Sequence, residues 1–278
     1  MSSRNPVFEV EPLTLDDVPA NVELSRSVGW KDAASEWRVL HEAGDVRGVR
    51  QAGRVVAQGV LGDYGNATTI AKMVVASEWQ RRGLGARVLD GFLAQVDARG
   101  VPVGLCATDL GRPLYESRQF SVSGELVILT GTPTPGTTEA ATVVPSLDAE
   151  LPVALDRRVC GCDRARMVRA RFREASYRVA LGQEGQGYGL ASAQGEGTLI
   201  GPILAETEGE ARALAAALLS TAVGPVRIDV PADHVAFRQW LRQWGLREQS
   251  ARVEMARGAA RMPWQVSQRF ALASQAWG

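Results

Sequence analysis

Histidine, cysteine and lysine are all scarce in this chain of 278 residues, and each shortage removes a class of chemistry. Two histidines, His41 and His234, and three cysteines, Cys106, Cys160 and Cys162, cannot build a disulfide framework or a zinc site, because Cys160-Gly-Cys162 has no matching second pair. The cysteines read as ordinary thiols, and no metal is expected. Lysine occurs only at Lys31 and Lys72, so positive charge is nearly all arginine, and it balances the acidic residues to a formal net charge of zero. That balance offers no electrostatic case for nucleic acid. No apolar run of about 18 residues exists, and the opening MSSRNPVFEVEP lacks a signal-peptide core. A cytoplasmic protein without a membrane partner is expected. No Gly-Lys-Ser/Thr occurs, which excludes a Walker loop, and the opening G-x-G-x-x-G of a dinucleotide fold is missing.

What is present is an ordinary globular composition, 45% hydrophobic and 22% charged, in a chain long enough for two domains. It is organised around the stretch from Thr68 to Arg99. Thr68 to Val75 is β-branched and apolar, as in a buried strand. From Leu84, the spacing of Leu84, Val88, Phe92 and Val96, widened by Leu89 and Leu93, predicts a helix that ends before Gly100. The loop between carries Gly83 and Gly85, which admit tight turning and close backbone approach. Unpaired amides at the helix start, the helix dipole, and Arg81, Arg82 and Arg87 together favour a phosphate or pyrophosphate.

Around this unit the pattern predicts strands at Val7 to Val10, Val46 to Gln51 and Val55 to Tyr64, the last two joined by a hairpin at Ala52-Gly53. Helices are expected from Leu13–Asp17 to about Val28 and from Ser35 to near Gly44. After the central helix come a strand from Val101 to Ala107, a short helix at Pro113 carrying Tyr115, and a strand from Phe120 to Thr130. A strand, a helical crossover and a parallel strand make a right-handed unit that binds ligands at the carboxyl ends of its strands.

At these residues the chain resembles the GNAT superfamily of N-acetyltransferases. Gln80-Arg81-Arg82-Gly83-Leu84-Gly85 is similar to that family's acyl-CoA signature, Gln/Arg-x-x-Gly-x-Gly/Ala, and Leu114-Tyr115-Glu116 with Phe120 resembles its Leu-Tyr-Glu-Lys-x-Gly-Phe segment. The resemblance implies acetyl-CoA as co-substrate, its pyrophosphate held by Gln80, Arg81, Arg82, Gly83, Leu84, Gly85 and Ala86, and its pantetheine by the main chain of Met73, Val74 and Val75. A carbonyl-polarising amide would fall near Val75. It implies Tyr115 as general acid toward the departing thiolate, and Thr108 beside the cofactor. Two helices after the first strand would wall the acceptor site with Trp30 and Trp37, although both could equally be core anchors. No glutamate stands on the central strand where some members keep a base, so proton removal could pass through water to Asp63, Glu36 or Asp32. Gln119 stands where the family has glycine. The implied function is transfer of acetyl to a primary amine, small molecules ranking above protein lysine; an acyl-CoA-binding sensor or scaffold without turnover is the alternative. The chain is expected to act as a monomer or homodimer.

Past a linker, residues 132–142 (Gly131-Thr-Pro-Thr-Pro-Gly is its core), the order of elements recurs. Strands are expected at Tyr177 to Gly182, Tyr188 to Ser192, Leu199 to Ala205, Val226 to Val230 and Arg247 to Arg257, with helices at Glu210 to Thr221 and Val235 to Trp244. The expected architecture is therefore α/β (α+β): two GNAT-like domains, 1–131 and 143–278, each a mixed, mostly antiparallel twisted sheet with a central parallel pair flanked by helices. The second is expected to be degenerate, since Glu206-Thr-Glu-Gly-Glu210 puts carboxylates where the phosphate loop would be. It should bind no CoA and should pack on the first to complete its acceptor site, with the apolar tail Pro263 to Gly278 docked on that neighbouring domain. A chain ending near Thr132 would then bind CoA and acetylate poorly. Seven arginines between Arg157 and Arg173 read as a solvated helical face or an anion-binding surface.

Overall fold

The computed structural model describes residues 8–134, 142–181 and 186–277. Its first half runs β1 (Glu11–Pro12), α1 (Val18–Ser27), α2 (Ala34–Ala43), β2 (Asp45–Gln51), β3 (Arg54–Asp63), β4 (Thr68–Val75), α3 (Leu84–Asp97), β5 (Val103–Ala107), α4 (Arg112–Glu116) and β6 (Ser121–Gly131). The expected strand at Val7 to Val10 is displaced: Val7 lies outside the described residues, and pairing begins at Glu11 and Pro12, opposite Gly48 and Arg47. Thr14 and Asp17 form a capping box that launches the helical segment, with Thr14 N–H donating to Asp17 Oδ2 at 2.8 Å. Ala52 and Gly53 both have positive φ, 48° and 80°, the combination a two-residue hairpin between right-twisted strands requires. α3 buries the predicted stripe, Leu84, Val88, Leu89, Phe92, Leu93 and Val96, against Ile70, Val103 and Leu105. Each such side chain contributes roughly 1.5–3 kcal/mol.

The second half repeats the order with β7 (Val143–Pro145), α5 (Glu150–Cys160), α6 (Ala165–Glu174), β8 (Tyr177–Leu181), β9 (Tyr188–Gln194), β10 (Gly197–Leu204), α7 (Glu208–Thr221), β11 (Val226–Pro231), α8 (Val235–Gln243), β12 (Arg247–Arg257) and β13 (Arg269–Ala271). Helix α5 was not anticipated from the pattern. Each half has one parallel pair, β4–β5 and β10–β11, in a mostly antiparallel setting, as expected. What the pattern does not reveal is that both sets belong to one 13-stranded sheet, twelve strands in the order β1-β2-β3-β4-β5-β12-β6-β11-β10-β9-β8-β7 and β13 off this path, paired with β10. The halves exchange their last long strands. β12, which ends the second half, lies between β5 and β6, while β6, which ends the first half, pairs with β11.

Both parallel pairs part early. β4 and β5 are in register only at Thr68–Val103 and Thr69–Gly104, and beyond these residues the strands diverge. β10 and β11 pair from Thr198 to Ile200 and then part as well, but there β13 fills the opening, pairing with Ile203 and Leu204, and Leu272 N–H donates to Asp229 O at 3.0 Å. The tail thus docks, as expected, and does so across both halves: Trp277, fully buried, joins Trp37, Val22 and Met167 in one core.

Two arginines from the basic stretch hold it there, correcting the reading of that stretch as a solvated or anion-binding face. Arg164, 2% exposed, pairs through Nε and Nη2 with Asp156, 1% exposed, and donates to Trp277 O at 2.9 Å. Arg171 pairs with Glu36 of α2 and donates to Ala273 O at 2.9 Å. The remaining arginines do meet solvent, and Arg173 pairs with Glu42.

The exchange also overturns the expectation that residues up to Thr132 fold alone. Without β12, β5 and β6 lose the neighbour that satisfies their facing main-chain groups, each worth about 1–3 kcal/mol when buried and unmet. A chain ending at Thr132 is expected to aggregate or to melt without a cooperative transition in circular dichroism, where the full chain shows one.

Candidate active site

The first split in the sheet is where the predicted residues converge. A bulge in β4 shifts its register on β3 between Gln58 and Val60, and Lys72 takes up the extra residue with φ of 53°. Met73 and Val75 then turn half-buried side chains toward the α3 core, while Val74 is buried on the opposite face. Past Val75 the chain makes a short 3₁₀ turn, Ser77–Trp79, and Gln80 Nε2 donates back to Val75 O at 3.1 Å, tying the loop to the strand end. Arg81 at φ 59° and Gly83 at φ 80° swing the backbone into α3. Arg87 is the first residue whose amide reaches back, to Gly83 O at 3.0 Å, so those of Leu84, Gly85 and Ala86 lie ahead of the helical ladder, and Gly83 brings no side-chain cap. Arg82 stacks on Trp79 at 4.6 Å, and Arg81, Arg82 and Arg87 are exposed and ion-pair with no described carboxylate. A Cβ built at Gly83 would meet nothing, whereas one at Gly85 would stand 3.5 Å from Val75 and 3.6 Å from Leu114. The loop is an open cradle of the kind a pyrophosphate fits.

Helix α4 places Tyr115 at the same end of the sheet. Thr108 caps it: its carbonyl accepts from Arg112 N–H at 2.9 Å and its hydroxyl from Gly111 N–H at 3.2 Å, so Thr108 orients α4. Gln119, in the glycine position of the motif, adopts φ of 65°, and Phe120 N–H returns to Tyr115 O at 3.2 Å. The strain a side chain meets there explains why glycine suits this turn. Tyr115 is 7% exposed, its ring lies 6.0 Å from Phe120, and its hydroxyl makes no hydrogen bond to a described residue. Burial, with a smaller contribution from Cys106, pushes its pKa up to about 12, which keeps the phenol a proton donor at neutral pH.

Other candidates fall elsewhere. Asp63 pairs in the ladder with Thr68, at the opposite end of β4, about 23 Å of strand away from Val75. It is committed to Arg99 at 2.6 Å and to Gly65 N–H at 3.0 Å, and that arginine holds its carboxyl below the usual range. It cannot serve chemistry at the loop. Trp37, with no exposed surface, is a core anchor and lines no open pocket. Trp30 is half-buried and lies 5.6 Å from Lys72 Nζ, beside the bulge. Asp32 pairs with that lysine at 2.7 Å, and Glu36 is held by Arg171 and by Ser274 Oγ at 3.0 Å. Sequence reasoning missed Lys72 and the group from the second half that faces β5: Glu254 sits opposite Cys106 in the β5–β12 register, and Arg269 donates to its Oε1 at 2.9 Å. In sequence Glu254 merely alternates with Val253 and Met255, as a solvent-facing residue of any strand would.

Residues 153–271 match the family described as acetyltransferase (GNAT) domain, so the recognised segment is the second half and excludes the glycine loop. The chain is 29% identical over 255 residues to an uncharacterized N-acetyltransferase, YitH, of Bacillus subtilis (strain 168), covering 86% of this chain and 88% of that one. Its fold is that of a putative acetyltransferase from Pyrococcus horikoshii, with a TM-score of 0.83 at 18% identity and coverage of 98% and 96%. A tandem GNAT protein from the clavulanic acid biosynthesis pathway shares the fold with a TM-score of 0.65 at 14% identity, over 90% of this chain and 98% of that one. Residues 153–271 are thus a GNAT acetyltransferase domain, and the comparisons together support a GNAT N-acetyltransferase, that is, an acyltransferase. Among the described residues no cluster suits a metal ion, and no helix is long and apolar enough to cross a membrane.

The reassignment of Trp37 can be checked directly. Trp37→Ala is expected to lose about 3–5 kcal/mol of stability, as for other large core truncations. Denaturant melts should show that loss, and in ligand-saturated, still-folded protein the acceptor KM should be unchanged.

Proposed function

We propose that this chain transfers acetyl from acetyl-CoA to a primary amine of a small molecule. The observation that carries this reading is a convergence at one end of the sheet: a split between β4 and β5, uncapped amides with three exposed arginines that ion-pair with no described carboxylate, and a largely buried tyrosine whose hydroxyl bonds to no described residue. The amides of Leu84 to Ala86 would hold the pyrophosphate, and the main chain of Met73 to Val75 would pair with pantetheine as an added strand. Main-chain N–H groups at the Lys72 bulge or strand end would polarise the thioester carbonyl, and Tyr115 would protonate the thiolate that leaves. On this reading residues 1–131 and 143–278 are two GNAT units joined by 132–142, and only the first takes CoA. Two features of the second support its exclusion: β13 occupies the split, and Glu210 closes the start of α7 in a capping box with Thr207.

Calorimetry with acetyl-CoA is expected to give one site per chain. Gly85→Val, which thrusts methyl groups toward Val75 and Leu114, should weaken that binding at least about tenfold while the thermal midpoint stays within a few degrees. Binding of two equivalents, or unaltered affinity in the variant, would contradict the assignment. Tyr115→Phe should lower kcat by about 10²–10⁴-fold with little change in acetyl-CoA affinity. Thiol release measured against an amine panel tests this, and a wild-type chain that binds acetyl-CoA yet never turns over would be a sensor instead.

A further inference from the structure

We propose that Glu254, delivered to the first half's sheet by β12, is the carboxylate that receives the acceptor's ammonium group and takes its proton, in a cavity sized for a compact primary amine. The inference rests on the acetyltransferase reading above and names its missing base. A cavity of about 170 Å³ lies on the sheet face opposite α3, at the point where β4 leaves β5. Thr69, Gly104, Cys106 and Glu254 line it, and Met262 and Trp264 of the tail roof it. Met262 packs closely over Gly104, where a Cβ would stand 2.8 Å from Met262 Cγ. A dry cavity of about 150 Å³ accommodates benzene, so this one holds roughly six to eight non-hydrogen atoms.

The geometry favours Glu254 over the other carboxylates. None of the other three carboxylates lines this cavity: Asp63 is held by Arg99 and the Gly65 N–H, Asp32 by Lys72, and Glu36 by Arg171. Glu254 is 12% exposed and faces the cavity; Arg269 engages only Oε1, and Oε2 makes no hydrogen bond to a described residue. Room for Oε2 is kept by Gly124, where a Cβ would approach it to 2.8 Å. Arg269 of β13 and Cys106 of β5 face Glu254, the Arg227–Asp229 pair of β11 acts on Cys106 beside it, and Arg261 lines the cavity. Cys106 of β5 is within electrostatic reach of both Glu254 and Tyr115.

The protons balance. An acceptor arriving as R–NH3⁺ gives one proton to Glu254, and its freed lone pair forms the C–N bond to the thioester carbonyl. The C–S bond breaks, Tyr115 protonates the thiolate, and the second proton shed by nitrogen restores the phenol. The products are the amide, the free thiol and one proton passed from Glu254 to water.

The test uses the full chain, acetyl-CoA and primary amines graded from propylamine to spermidine and a lysine-containing peptide, followed by thiol release. Turnover is expected for the smallest amines and to fall off above about eight to ten non-hydrogen atoms. Glu254→Gln should lower kcat/KM for the amine by about 10²–10⁴-fold and leave the acetyl-CoA Kd within twofold. Glu254→Asp keeps a charge for Arg269 and should fold even if the amide variant does not; a shortened reach should still cost it at least tenfold in kcat with the Kd unchanged. Wild-type kcat/KM in either folded variant overturns the proposal while leaving the acetyltransferase reading in place. A wild-type chain that neither binds acetyl-CoA nor releases thiol overturns both.

Discussion

The constraint on which this structure depends is the need of each central strand for a partner on both edges. A sheet covered by helices has no water at its middle to satisfy an orphaned N–H or C=O. β6 and β12 meet that need only by crossing into each other's half, where β12 pairs with β5 and β6 with β11. Two sets of strands that look self-contained in sequence thereby become a single sheet, and neither half keeps a complete set of its own. The same exchange seats Glu254 beside Cys106, a placement that no arrangement within one half provides.

Against this background of complete pairing, the two splits stand out as places where pairing is given up. They are built alike, from a strand, a crossover helix and a parallel strand that diverges after two or three paired residues. Their fates differ for a local reason. At the second, β13 lies in the opening and the helix start is closed by the Thr207–Glu210 box, so the positive end of α7 already has its anion. At the first, Gly83 offers no side chain to cap α3, and exposed arginines surround the loop. One end is finished internally; the other still has donors to satisfy.

Buried charge joins the halves and the tail. Arg164 and Arg171 each combine an ion pair with a hydrogen bond to a tail carbonyl, Trp277 O and Ala273 O. Removing one member of such a pair leaves a charge uncompensated in a dry setting, at a cost of about 3–5 kcal/mol, so these contacts specify where the tail goes as much as they stabilise it. A further network of Asn21, Gln58, Ser25 and His41 anchors α1 and α2 to β3, with Asn21 Nδ2 donating to Gln58 Oε1 at 2.8 Å. It fixes the wall that carries Trp30.

The sequence by itself determined what depends on short-range order. The β-branched run at Thr68, the four-residue spacing from Leu84, the turn at Ala52-Gly53 and the glycine loop each state a local backbone preference, and the structure follows them within a residue or two. The cradle was legible because its amides, glycines and arginines are contiguous. Only the tertiary structure decided what depends on distant partners. Trp37 and Trp30 differ in burial through what packs on them, Asp63 is taken by Arg99 across the β3–β4 turn, and Arg164 meets Asp156 in the interior, although all carry the composition of surface or pocket residues. Above all, hydrophobic alternation says that Arg247–Arg257 is a strand and is silent on which strand it joins, because the ladder is made by main-chain groups that every strand presents and the choice is made by the topology around it.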